Sequence, residues 1–305
     1  MSALRSLILA AADSPRLQRL VQRYGFKLGA ARFVAGESLD TAVPVLRRLN
    51  EQGLLTNTTL LGEGVRDEAE TRAVVAAYRQ VLDRIHAESL RTNVALKLTH
   101  LGLTIDEELA RRNLTELVGH AAQVGNFVRI DMEESRHVDA TLRIYRSLRE
   151  SGHGNVGAVL QSYLYRTEED LTALIPLAPN LRLVKGAYLE PATVAYAAKS
   201  DVDDAYARLL ELMLGRCDHV AVATHDERMI ERALALVRKR ELSPDQYQLQ
   251  FLYGVRPQLQ LELASQAHPV LVATPFGPEW YPYLMRRLAE RPANLLFVAR
   301  NVVKR

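Results

Sequence analysis

Polar and charged residues recur in this chain just after short apolar runs. In order they are Glu63; Lys97 with Thr99 and His100; Asp131 with Met132 and Glu133; Gln161 with Tyr163; Lys185-Gly186-Ala187-Tyr188; Thr224-His225; and Tyr253-Gly254. Lys97 or Lys185 could act as the amine nucleophile of a Schiff-base enzyme. Asp131, Glu133 and His225 could ligate a cation, but Lys97 and Lys185 nearby disfavour one, and no catalytic metal is expected. A lone lysine or histidine after a strand is usually just solvated; a full series in the same structural position is not. Near the end of the chain, Tyr283, Arg286, Arg287 and Glu290 fall at i, i+3, i+4 and i+7, on one polar helix face. The plain reading is a solvated stripe. The sharper one is a helix over a site, whose adjacent guanidinium forks clamp a carboxylate bidentately.

Other motifs do not hold. Gly152-His153-Gly154-Asn155-Val156-Gly157 has the G-x-G-x-x-G spacing. It follows a helix and opens a strand, the reverse of the order a dinucleotide fingerprint needs, so it reads as a glycine-rich turn. Cys217-Asp218-His219 precedes a strand and is not expected to be catalytic. There is no Walker A loop, H-E-x-x-H or G-x-S-x-G.

The elements that carry these residues alternate. Short runs rich in β-branched residues lie at 58–61, 93–98, 127–130, 156–160, 181–184, 219–223, 247–252 and 270–273. Helical patterns follow at 67–90, 106–123, 136–150, 168–177, between 192 and 215, and at 226–240, 257–266 and 279–290. Strands apolar on both faces belong to a parallel sheet covered by helices. Eight such units predict an α/β fold, a (β/α)8 barrel, with an open doubly wound sheet as the alternative. In a barrel the polar series lies at the carboxyl ends of the strands, where barrel active sites lie. Residues 1–55 read as helices at 4–12, 15–25, 29–33 and 39–52, an N-terminal helical cap on a barrel domain of 56–305.

Composition sets limits. Of 305 residues, 48% are hydrophobic and 25% charged, a globular balance. Lys+Arg exceeds Asp+Glu by 39 − 36 = 3, too thin and scattered an excess for a nucleic-acid partner. One cysteine excludes an internal disulfide and points to a reducing compartment. No apolar run is long enough to span a membrane. A soluble, cytoplasmic protein is expected.

Several of these segments occur together in one family. Leu183-Val184-Lys185-Gly186-Ala187-Tyr188, Ala223-Thr224-His225, Phe251-Leu252-Tyr253-Gly254 and Tyr283-Leu284-Met285-Arg286-Arg287-Leu288, with Asn294, stand in the order and register of the flavin-dependent proline dehydrogenases. The chain resembles their short bacterial monofunctional form from about Phe33-Val34-Ala35-Gly36 onward, including the Tyr196…Lys199…Val202-Asp203…Tyr206 helix. The resemblance implies a distorted barrel with its last helix above the strand ends. It implies FAD bound there without a Rossmann domain, and L-proline oxidised to Δ1-pyrroline-5-carboxylate by hydride transfer to flavin N5, with electrons passed to a quinone. Peripheral contact with the inner membrane and a downstream pyrroline-5-carboxylate dehydrogenase are family-level expectations.

Residue by residue, Arg286 and Arg287 match the pair that grips the proline carboxylate, and Lys97 adds a third positive group. Tyr283 and Leu252 match residues around the substrate ring. Asp131 and Arg182 match active-site residues, with Arg182 near the reactive edge of the flavin. Met132, Gln161, Val184, Lys185, Gly186, Ala187, Thr224 and His225 match flavin-contacting positions. Glu63 matches a gate glutamate that can pair with Arg286. One departure is visible. Many members carry Tyr two residues before a Pro-x-Gly turn; here the turn is Pro275-Phe276-Gly277 and that position is Ala273.

Overall fold

A computed structural model describes residues 30–62 and 64–290, with side chains described as far as Met285. A 3-10 turn, Ala30–Arg32, leads to α1 (Leu39–Glu51). There follow β1 (Leu55–Leu60), α2 (Glu68–Ala87), β2 (Thr92–Lys97), α3 (Glu107–Gln123), β3 (Val128–Asp131) and α4 (Val138–Glu150). Next come β4 (Val156–Gln161), α5 (Thr167–Leu174), β5 (Asn180–Val184), α6 (Lys199–Met213), β6 (His219–Ala223) and α7 (Glu227–Lys239). The described chain closes with β7 (Tyr247–Leu252), α8 (Pro257–Ser265), β8 (Val270–Phe276) and α9 (Trp280–Glu290). All eight strands are parallel and close in sequence order into a barrel, which removes the open-sheet alternative. The expected helices at 4–12 and 15–25 lie outside the described residues.

Local chemistry starts the helices where the chain needs them. Ser38 caps α1 reciprocally with Thr41, and Asp67, Asp106 and Asp226 accept from the first turns of α2, α3 and α7. Strand residues alternate. Val94, Leu96, Val128, Ile130, Leu181, Leu183, Val220 and Val222 join the helices in one continuous core. Their neighbours face the barrel axis. Two strands run longer than the apolar patterns predict. β1 starts three residues early because Thr56 and Asn57 bond side chain to side chain with Thr92 and Asn93 of β2. β8 runs on through Pro275, because the Pro275 and Phe276 carbonyls accept from Ala35 N (2.8 Å) and Leu61 N (2.7 Å).

The two ends of the fold are covered differently. α1 packs against the outer flank at β1 and β8. α9 does not join the outer ring. Trp280, Tyr281, Leu284 and Met285 pack on Ala30, Phe33 and Val34, with Leu61 after β1 and Val255 after β7 at the margin. The last helix therefore stands at the carboxyl end of the barrel.

Candidate active site

The barrel axis is lined by small and polar side chains rather than the branched aliphatics that fill a purely structural barrel. Ala95, Gly157 and Ala221 leave room there, while Arg129, Asp131, Gln161 and Arg182 fill part of it. Arg129 is buried and has no carboxylate within 4 Å among the described residues. It donates to the Ala158 and Asn180 carbonyls and to Asn180 Oδ1. Burial first, and the neighbouring Arg182 second, pull its pKa down to about 9. A Cβ on Gly157 would lie 2.3 Å from Arg129 Nη1, so this strand position has to be glycine.

One turn nearer the carboxyl end, Arg182 Nη1 donates to Asp131 Oδ1 at 2.7 Å. Burial lowers the Arg182 pKa and Asp131 opposes that shift. Arg182 Nε and Gln161 Oε1 are both buried with no hydrogen-bond partner among the described residues. Buried polar atoms are normally satisfied, so a free donor and a free acceptor on adjacent strands are a signature of a ligand edge that offers both functions. Gln161 Nε2 is fixed on the Glu133 carbonyl. The buried Glu133 carboxylate accepts from Thr99 N and Oγ1, tying the loop after β3 to the loop after β2. Burial raises the Glu133 pKa against those bonds.

The loop after β5 is built around close approach. Ser162 N and Tyr163 N bond to the Val184 and Lys185 carbonyls, extending the β4–β5 ladder. Gly186 has φ +117°, and a Cβ there would lie 2.2 Å from the Tyr163 ring. Only glycine satisfies both the backbone and the space. Lys185 Nζ donates to Asp203 on α6 (2.5 Å) and to Asp226, the cap of α7 (3.0 Å). Burial is the largest influence and disfavours the charge on both carboxylates, but Lys185, joined by Lys199 at Asp203 and by Arg228 at Asp226, outweighs it and holds each below the usual range. Ala187 in this loop is exposed, and Met132, just after β3, is buried. Thr224 Oγ1 accepts from Asp226 N. His225 Nε2 accepts from Leu252 N at 3.0 Å, which places the proton of the neutral ring on Nδ1.

Lys97 ends β2 opposite Asp131 of β3. It lines a cavity of about 40 Å³ with His100, Tyr78 and Gly62, and with Glu279 and Pro282 at the start of α9. Tyr283 is partly exposed on that helix. The backbone of Arg286 and Arg287 continues α9, but their side chains, and all of Glu63, lie outside the described residues. A larger cleft of about 730 Å³ opens at the opposite, amino end, lined by Asn93, Asn126, Asn155 and Gln248 among others. Its amides are largely spent on neighbouring carbonyls and on each other, and charged groups gather instead at the carboxyl end. Gly152-His153-Gly154 is a turn at that amino end, and Cys217 is buried just before β6.

The structure thus collects Asp131, Met132, Gln161, Arg182, Val184, Lys185, Gly186, Thr224, His225, Leu252 and Lys97 at one end of one barrel. Glu133 and Tyr163 of the same polar series hold them, as does Asp203, and the structure adds Asp226. The profile of the family described as proline dehydrogenase matches residues 42–300. The chain belongs to the proline dehydrogenase family. It is 39% identical to proline dehydrogenase 1 of Bacillus subtilis over 99% of this chain and 100% of that one. It is also 39% identical to proline dehydrogenase of Deinococcus radiodurans, covering 98% of each. Among solved structures, proline utilization A of Bdellovibrio bacteriovorus, inactivated by N-propargylglycine, superposes with a TM-score of 0.79. That likeness, at 21% identity over 93% of this chain and 38% of that one, shows the shared barrel fold. Proline dehydrogenase family membership makes the chain an oxidoreductase of proline metabolism. Among the described residues no helix is long and apolar enough to cross a membrane.

Proposed function

We propose that the protein binds FAD and oxidises L-proline to Δ1-pyrroline-5-carboxylate, with a quinone as final electron acceptor. The observation that carries the substrate side is the placement of α9. Glu279 and Pro282 share a cavity with Lys97, so the helix bearing Arg286 and Arg287 begins over the end of β2. Lys97, Arg286 and Arg287 then supply the cationic donors for a carboxylate, and Tyr283 and Leu252 the walls for the ring. Ion-paired donors in a partly dry site bind a carboxylate well and fix its orientation.

The residues present fit a flavin. The free buried donor of Arg182 and acceptor of Gln161 match a heteroaromatic edge carrying both functions. Met132, Val184, Gly186, Ala187 and Thr224 shape the cradle, while Lys185 and His225 face its polar part. Bound flavin supplies acceptance of a hydride from proline C5 at N5. The chain's own contribution is to hold and orient: Asp131 fixes Arg182, Asp203 and Asp226 fix Lys185, and Glu63 gates the site. Peripheral contact with the inner membrane and hand-over of the product to a pyrroline-5-carboxylate dehydrogenase complete the reading. A Schiff-base role for Lys185 is disfavoured, because two carboxylates engage its ammonium.

The test is a proline:dye-acceptor assay on flavin-loaded protein with Arg286→Ala. Losing one donor to a desolvated carboxylate costs about 1.5–3 kcal/mol, so KM should rise about tenfold or more with flavin still bound. Colourless protein, or trapping of a carbonyl substrate by borohydride, overturns the flavin reading; an unchanged KM overturns the clamp.

A further inference from the structure

α9 is held by a part of the molecule that the barrel core does not reach. Its buried face belongs to a small apolar cluster of its own, made with Ala30, Phe33 and Val34. That N-terminal strap is in turn pinned to the barrel rim by backbone bonds. Ala35 N donates to Pro275 O (2.8 Å) and Gly277 N to Gly36 O (3.0 Å). A Cβ on Gly254, at φ +75°, would lie 1.9 Å from Arg32 O, so the loop after β7 is shaped to receive the strap. A polar contact runs across this cluster. Trp280 Nε1, on a side chain only 1% exposed, donates to Glu37 Oε1 at 2.8 Å. Glu37 itself is exposed and stands one residue before the capped start of α1.

We propose that Glu37, acting through Trp280, is a positioning residue for substrate binding: it sets where α9 stands over the strand ends. The proposal rests on the reading that α9 carries the proline clamp. Apolar packing is non-directional, and a charge-assisted hydrogen bond to a buried indole adds a directional constraint on the rotation and height of the helix. The Glu37 hydrogen bond goes to α9 and not to the flavin cradle, so its loss should move KM and leave flavin content and kcat near the parent values.

Trp280 is the only tryptophan in the chain, so its fluorescence reports α9 directly. In the flavin-loaded protein, Glu37→Ala should raise the proline KM about three- to tenfold with kcat unchanged, and should increase acrylamide quenching of Trp280. Glu37→Gln keeps an acceptor oxygen and should restore both. Trp280→Phe keeps the apolar fill and removes the donor; it should raise KM to the same degree, and combining it with Glu37→Ala should add nothing further. Arg286→Ala is run alongside. If it leaves KM unchanged, the clamp reading fails. If it raises KM while Glu37→Ala does not, with or without a change in quenching, the positioning role is overturned. An additive double variant overturns it as well.

Discussion

Asp131→Ala removes the carboxylate that neutralises Arg182. The Arg182 side chain is 10% exposed and Asp131 26% exposed, with 2.7 Å between them. Arg182 Nε already lacks an acceptor among the described residues, burial already disfavours its charge, and it stands close enough to a second buried guanidinium, Arg129, to lower the pKa of that group. A guanidinium cannot shed its proton at pH 7 to relieve the loss. Breaking a buried pair from one side costs about 3–5 kcal/mol; water entering beside the quarter-exposed Asp131 favours the lower end, about 3 kcal/mol. For a chain of this size that is a fall in Tm of about 5 °C. Asp131→Asn keeps an oxygen for Arg182 Nη1 and should lose about half as much. Asp131→Ala combined with Arg182→Met removes both charges and should be more stable than Asp131→Ala alone. Differential scanning calorimetry of the flavin-free proteins measures all three. A Tm for Asp131→Ala within 1 °C of the parent, or a double variant no better than the single, refutes the view that Asp131 neutralises a buried cation.

Gly186→Ala should destabilise by about 2 kcal/mol or more and lose flavin, because φ +117° and the Tyr163 ring both exclude a Cβ; calorimetry and the flavin-to-protein absorbance ratio check it. Burial raises the Cys217 thiol pKa from 9.0 to about 12, so native protein should resist Ellman's reagent at pH 8. Because the folded pKa is raised, Cys217's contribution to stability is complete below pH 9 and fades between pH 9 and 12, which denaturant titrations across that range would read. Ala273 faces the axis opposite Leu252 and Asn57 and is partly exposed, so it borders open space. Ala273→Tyr should lower the proline KM and raise discrimination against trans-4-hydroxyproline; an unchanged ratio of kcat/KM for the two would place position 273 away from the substrate.

The sequence makes the barrel legible because its outward strand residues are runs of Val, Leu and Ile that any buried parallel strand needs. It hides the start of β1 and the end of β8, where stability comes from Thr–Thr and Asn–Asn pairs and from backbone bonds to Ala35 and Leu61. Most of the site is legible too, since strand carboxyl ends are predictable once the strands are. Arg182 is the exception. It lies two residues before the end of β5 and reaches the site by pointing inward, so only the family resemblance marks it. The partners of Lys185 come from α6 and α7, 18 and 41 residues on, and no local pattern pairs them. The Glu37–Trp280 bond spans 243 residues and is equally invisible in the sequence.

The interior of this barrel gives up packing that a structural barrel would keep. Ala95, Gly157 and Ala221 stand where branched aliphatics would add dispersion and burial. Arg129 and Arg182 sit in the space they leave, at a desolvation cost that one carboxylate only partly offsets. The compensation lies outside the strands, in the continuous apolar shell between barrel and helices. The division follows from geometry. Strand residues alternate, so one set can be spent on the core while the other is free to be small or charged. That is why a site can occupy the middle of the fold without breaking it, and why α9 and its strap, at the carboxyl end, are held by a cluster separate from the shell.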